Sequence, residues 1–226
     1  MSTPRNNRFI FTYDETNSNC VIDKAFLAQY QKVVDKHWVF LISGYHLLTE
    51  NVLTDEFISY HDQLLENISK VCGHLHFELA FTNVEKARVM ILQKLLKHCE
   101  SVGLNEVELK MFAEQEKIET DSEVDRLVRF TDLMKIRVML FHTFGKYIAL
   151  NNTQKHFNFE KGFKTAEQVV LRDRRTPESK EFKVEYKEED KIKDMPSYSP
   201  TLLKPISSSV GLGDTISSSI VIGILE

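Results

Sequence analysis

The sequence predicts an α/β fold, a mostly parallel sheet flanked by helices. Three observations carry this. Strand-like and helix-like stretches alternate along most of the chain. Several strand-like stretches are short continuous apolar runs, the pattern of a strand covered on both faces. Helix starts carry capping residues ahead of acidic first turns. The crossovers are then expected to be right-handed.

The elements follow in order. Asn7-Arg8-Phe9-Ile10-Phe11-Thr12-Tyr13 reads as a strand, stopped by the turn cluster Asp14 to Asn17. Val21 to Val34 has helical spacing, with Phe26, Leu27, Tyr30 and Val34 on one side. Trp38 to Ile42 is an apolar run ending at Ser43-Gly44, a strand expected to be buried on both faces. Thr54 caps a helix over Asp55 to Val71. Gly73 to Leu79 is a strand, and Thr82 to Glu85 a capping box leading a helix to about Cys99. Val102 to Leu104 is a short strand, and Asn105 to Glu108 opens a helix. Val124, Leu127, Val128 and Leu133 mark another helix, and Ile136 to Phe141 a strand closed by His142-Thr143. Phe157 to Leu171 holds one more helix. The charged stretches 172–177 and 187–191 read as a solvated loop or hairpin around a possible edge strand, Phe182 to Tyr186. Leu202-Leu203 fits a short strand before a glycine turn and the apolar run Ile220 to Leu225. No internal boundary divides residues 1–226, so one domain is expected.

The chain has 226 residues, 42% of them hydrophobic, enough for one sizeable core. A net charge of −4 gives no basic footprint for nucleic acid. No apolar run is long enough to span a bilayer. Met1 to Asn7 lacks the apolar core of a signal peptide, so the chain as it stands is expected in the cytoplasm. A longer form could instead enter the endoplasmic reticulum or be secreted. Cys20, Cys72 and Cys99 show neither metal spacing nor a disulfide framework and read as reduced thiols.

The stretch most suggestive of chemistry is Val210-Gly211-Leu212-Gly213-Asp214-Thr215-Ile216-Ser217. A glycine turn opening a helix aims unpaired N–H groups, at the positive end of the helix dipole, toward one spot suited to phosphate. Asp214 there could take a proton from an alcohol while the amides hold a phosphoryl group. Read alone, the stretch is more often an ordinary tight turn with a capping aspartate.

Gly211-Leu212-Gly213-Asp214 resembles the anion-hole and base motif of ribokinase-like sugar kinases. The longer stretch resembles the version found in the ADP-dependent glucokinase and phosphofructokinase family. Other motifs follow that family's order. Asn7-Arg8-Phe9-Ile10, with Asp14 and Asn17, is similar to its first strand and turn here. Leu41-Ile42-Ser43-Gly44-Tyr45-His46 is similar to its Ser-Gly-x-His strand end. His76-Phe77-Glu78 resembles its His-x-Glu metal motif, and Asn105-Glu106-Val107-Glu108 its Asn-x-x-Glu motif. Phe141-His142-Thr143 resembles a strand end beside the nucleotide. The likeness is greatest to the animal ADP-dependent glucokinases.

The resemblance implies a ribokinase-like fold and phosphoryl transfer from ADP to the 6-hydroxyl of D-glucose, giving glucose 6-phosphate and AMP, with Mg2+. It implies Asp214 as the base and a metal partner, with Gly211, Leu212, Gly213 and Arg8 at the phosphate. It implies Glu78 and Glu108 as metal partners, Asn105 and His76 as supporting residues, and His142 and Thr143 near the nucleotide. From the residues alone, His76 reads as a hydrogen-bonded core histidine, and Arg8 equally as a surface ion pair. Members of that family are longer. The likeness begins near the middle of their pattern, without the first strands, the lid domain and most sugar-binding residues. The expectation is an incomplete sugar site, little or no activity from this chain alone, and exposed apolar surface at Trp38 to Ile42. Two alternatives remain, an ATP-dependent ribokinase-like sugar kinase and a non-catalytic nucleotide- or partner-binding remnant.

Overall fold

A computed structural model describes residues 24–143, 146–170, 181–188, 191–199 and 212–225. The expected strand at Asn7 to Tyr13, Arg8, Cys20, Gly211, Leu202-Leu203 and the charged stretch 172–177 lie outside them.

The first part of the chain repeats strand and helix. Helix α1 spans Lys24–Val33, strand β1 Val39–Ile42, α2 Asp55–Val71 and β2 His74–Glu78. Helix α3 spans Glu85–Met90, β3 Ser101–Leu104, α4 Glu106–Gln115, α5 Glu123–Leu133 and β4 Val138–Thr143. Strands β1 to β4 are adjacent in that order and parallel. Thr54 caps α2 as expected, its hydroxyl accepting from Phe57 N–H at 3.1 Å. The capping box expected at Thr82 to Glu85 is absent. Val84 precedes the helix, and Thr82 Oγ1 instead accepts from Val84 N–H at 3.2 Å in a local turn.

The second part differs from a purely parallel plan. Strand β5, Lys146–Asn151, pairs antiparallel with β4, and β7, Lys191–Ser199, pairs antiparallel with both β5 and β6, Glu181–Glu188. Among the described residues the strands therefore run β1-β2-β3-β4-β5-β7-β6. Strands β5 and β7 had no clear sequence signal. The first follows β4 without a helical linker, and the second contains Pro196.

Two cores lie on opposite faces of the sheet. Leu75, Phe77, Val102, Leu104, Met139 and Phe141 face α2 to α5. Val138, Leu140, Tyr147 and Ala149 face α6, Phe159–Val170, and α7, Leu212–Leu225. A strand alternates its side chains between faces, so His74, His76 and Glu78 lie on the α6–α7 side of β2. The edge contact of His74 with Phe157, ring centroids 6.4 Å apart, agrees. Within that second core the Tyr198 hydroxyl donates to the buried Glu167 carboxylate.

Strand β1 corrects one expectation. It is not buried on both faces: Val39 and Leu41 are 39% and 36% exposed, and Trp38 is 49% exposed. The reason is position. Helix α7 packs on α6 and β4 and reaches β2, whereas β1 is the outermost strand of that end.

Helices α6 and α7 touch at glycines. A Cβ on Gly223 would lie 2.6 Å from Gly162 Cα, and one on Gly162 would lie 2.5 Å from Ile224 Cγ2. Gly223→Ala is therefore expected to push α7 away from α6 and lower the unfolding free energy by about 1–3 kcal/mol, read by urea denaturation. An unchanged value would mean that the helices separate at no cost.

Candidate functional site

The site is built at the carboxyl ends of β2, β3 and β4, where ligands of parallel sheets bind. Glu78 is the last residue of β2 and pairs in register with Gly103 of β3. Gly103 leaves its side of β3 bare. A Cβ there would sit 1.9 Å from Glu78 Oε2 and 3.0 Å from His76 Nε2. Through that gap the Glu78 carboxylate reaches over β3 to β4, where His142 Nε2 lies 2.8 Å from Oε1. The second oxygen, Oε2, lies 3.3 Å from His76 Nε2. Glu78, His76 and His142 are 5%, 0% and 4% exposed.

Helix α4 brings the second carboxylate. Asn105 caps it directly after β3, its Oδ1 accepting from Val107 N–H at 2.9 Å and Glu108 N–H at 3.1 Å. Glu108 folds back, accepting from Asn105 N–H and from Asn105 Nδ2, both at 2.8 Å. This is a complete capping box. The i, i+3 spacing read from the sequence thus has a helix-start role, and it leaves Glu108 within reach of the Glu78 charge.

The two carboxyls are driven in opposite directions. Burial alone would raise Glu78, but the charge and hydrogen bond of His142, with the bond from His76, outweigh it and hold Glu78 down to about 2. Glu108 has no cationic partner of that strength. Burial, with the Glu78 charge nearby, pushes it up to about 7 against its bonds from Asn105. Burial would lower His142, but Glu78 more than compensates and raises it.

These residues suit a hard cation. Magnesium takes oxygen ligands, needs only one or two carboxylates and keeps several waters. A carboxyl raised by burial and by a neighbouring carboxylate marks a spot short of positive charge. Among the described residues no group of three or more His, Cys, Asp and Glu forms a metal cage, so a cation here would be held largely through water.

Helix α7 lies over the same face as Glu78 and His142. Leu212, Gly213 and Asp214 form its first turn, so the glycine motif does open a helix. Further along it, Ser217 Oγ is buried without a hydrogen-bond partner. Thr143 ends β4 and pairs in register with Lys146. His74, Ser101 and Gly103 were not singled out from the sequence for a role in the site. The signal for the first was present, since polar residues at 74, 76 and 78 alternate along one face of a strand.

Away from that cluster a cavity of about 150 Å3 opens at the amino ends of the strands beside Cys72, His74, Lys97, His98, Glu100 and Arg137. Its cations are already paired. His98 and Lys97 meet Asp62 at 2.6 and 3.0 Å, and Arg137 meets Glu100 at 2.6 Å. It is therefore a poor anion site. No helix among the described residues is long and apolar enough to cross a membrane.

The conserved region of ADP-specific phosphofructokinase/glucokinase matches residues 1–160. The ADP-dependent glucose/glucosamine kinase of Pyrococcus abyssi is 28% identical over 96% of this chain and 56% of that protein. The enzyme of the same name from Pyrococcus furiosus is 26% identical over 97% and 56%. The chain thus spans about half the length of the curated relatives it matches. An ADP-dependent kinase solved with fructose-6-phosphate and ADPbetaS superposes with a TM-score of 0.67 at 18% identity, over 89% of this chain and 56% of that one. A last common ancestor of ADP-dependent phosphofructokinases from Methanosarcinales gives 0.70 at 16%, over 91% and 54%. These superpositions establish the ribokinase-like fold.

The raised Glu108 carboxyl has a pH signature. Its folded form keeps the proton to about 7, whereas an unfolded chain releases it in the usual carboxylate range. Between those values the folded state binds more protons, so stability falls as pH rises. Glu108→Gln escapes that loss. In metal-free buffer, the unfolding free energies of wild type and variant are expected to diverge in the variant's favour by about 1–3 kcal/mol from pH 5 to pH 8, levelling off above about pH 7. A difference independent of pH would refute the assignment.

Proposed function

The chain belongs to the ADP-specific phosphofructokinase/glucokinase family, and we propose that it carries the phosphoryl-transfer half of an ADP-dependent hexose kinase with glucose as acceptor. The observation that carries this reading is the Glu78–His142 pair with Glu108 beside it, at the carboxyl ends of adjacent parallel strands. The curated relatives are named as glucose/glucosamine kinases, which supports a hexose hydroxyl as acceptor.

In this reading ADP donates its β-phosphoryl group to the 6-hydroxyl of the sugar, leaving AMP. Such transfer needs alignment and charge neutralisation more than covalent work from the protein. Glu78 and Glu108 would hold Mg2+, which when bound neutralises phosphate charge. Asp214 would accept the hydroxyl proton as the new P–O bond forms. The backbone of Gly211, Leu212 and Gly213, with Arg8, would hold the phosphoryl group. His142 and Thr143 would lie toward the nucleotide. His76 and Asn105 orient the two carboxylates.

A second reading has an observation in its favour. The chain spans about half the length of its curated relatives, which suits a nucleotide-binding remnant without turnover. Even under the first reading, turnover by this 226-residue chain alone is expected to fall well below the about 1–100 s⁻¹ of kinases, since it spans about half the length of those relatives.

One assay separates these readings: AMP release from ADP and glucose with Mg2+, beside matched runs with ATP, glucosamine or fructose 6-phosphate. Slow AMP release with ADP and none with ATP is expected. Asp214→Asn should lower kcat by about 10²–10⁴-fold while leaving ADP binding nearly unchanged. Use of ATP as donor, or full activity in that variant, would sink the reading. Magnesium-dependent AMP binding with no turnover would favour the remnant.

A further inference from the structure

The polar row beneath α7 does not stop at Glu78. Behind His76, Ser101 Oγ lies 2.7 Å from His76 Nδ1 and 2.7 Å from His74 Nε2. His74 and Ser101 are 3% and 0% exposed. One hydroxyl therefore serves two imidazoles at the centre of the sheet.

The proton positions follow from the far end. The Glu78 carboxylate sits between two imidazole nitrogens, 2.8 Å from His142 Nε2 and 3.3 Å from His76 Nε2, and a carboxylate can only accept. His76 must therefore present Nε2–H to it. A neutral imidazole then has only a lone pair at Nδ1, so Ser101 must donate its single proton there. Ser101 is left to accept from His74, which must carry its proton on Nε2. Burial keeps His74 neutral down to about 4. A doubly protonated His76 would make Ser101 accept from both rings and strand its own proton in the core. Every bond in the file thus points one way, toward the carboxylate.

We propose that Ser101 and His74 are positioning residues for Glu78: they lock His76 in the tautomer and ring orientation that aim Nε2–H at the carboxylate. The file rests on the kinase reading only for the use to which Glu78 is put. Buried imidazoles joined in this way polarise one another, so the outer members strengthen the bond that matters.

Nitrogen–proton correlation NMR of the histidine rings, on the metal-free 226-residue chain, tests this directly. In the wild type near pH 7, His74 and His76 are expected as Nε2–H tautomers, with the His76 Nε2–H protected from exchange. Ser101→Ala should remove that protection and leave His74 in mixed tautomers. The His142 Nε2–H, bonded to the other oxygen of the same carboxylate, should stay protected. It thereby separates loss of the file from general loosening. Ser101→Thr, which keeps the hydroxyl, should restore the His76 signal. Titration calorimetry with Mg2+ should show affinity about 10–100-fold weaker in Ser101→Ala. An Nδ1–H tautomer of His76 in the wild type overturns the proposal, and this needs no variant to fold. So does a Ser101→Ala protein whose ring signals match the wild type. Failure of the wild type to bind Mg2+ with the file intact would count against the kinase reading alone.

Discussion

Burying a carboxylate among apolar strands is costly unless donors surround it, and the Glu78 end of the molecule is arranged around that requirement. Glu78 is 5% exposed at the end of β2. Its two oxygens meet histidines from two strands, His76 on its own and His142 across β3. The crossing exists because Gly103 stands between them with no side chain. Parallel register supplies the rest, placing Glu78 beside Gly103 and Gly103 beside Leu140. A shift of one residue in either pairing would turn His142 to the other face. The fold and the site are therefore one constraint seen from two sides.

The same arrangement explains why Glu78 and Glu108 differ so widely in acidity. Glu78 takes the available imidazoles, while Glu108 is tied to neutral amide donors of the capping box. Burial then dominates Glu108. Two carboxyls with separated proton affinities, both imidazoles lying on only one of them, leave Glu108 short of positive charge. That deficit is the chemical ground for placing a divalent cation and a polyphosphate here. The site's carboxylates and imidazoles come from residues 76 to 142, and α7 covers the same face.

Much of this was legible in the sequence, for identifiable reasons. Strands β1 to β4 and helices α2, α4 and α5 were found because apolar periodicity and capping chemistry are local signals. Thr54 and Asn105 act at helix starts as their positions suggest. Strand β1 was read as fully buried because an apolar run reports burial but not which layer is absent above it. Strands β5 and β7 escaped because hairpin pairing is decided by a partner strand. In β7, Pro196 removes a ladder donor and blurs the pattern. The pairing of Glu78 with His142 was out of reach for a similar reason. The two are 64 residues apart, and only the sheet order brings them together. Likewise, Ser101 carries no motif; its importance comes from lying between two rings on the neighbouring strand.

The half-length of the chain relative to its curated relatives bears unequally on its parts. Glu78, Gly103, Asn105, Glu108 and His142 come from three consecutive parallel strands and the helix after β3. The hydrogen bonds of the carboxylate cluster are made within that run. At the opposite side, Trp38, Val39 and Leu41 present an apolar face on the outermost strand of that end. Water contact there costs stability without reaching the cluster, because β2 and its buried side chains stand between. Binding and catalysis can consequently part company in this chain. A phosphate and its cation ask for the cluster and the start of α7, whereas turnover also asks for a surface that closes over the sugar and excludes water. In the proposed reading the first requirement would fall on β2 to β4, α4 and the start of α7, all of them among the described residues.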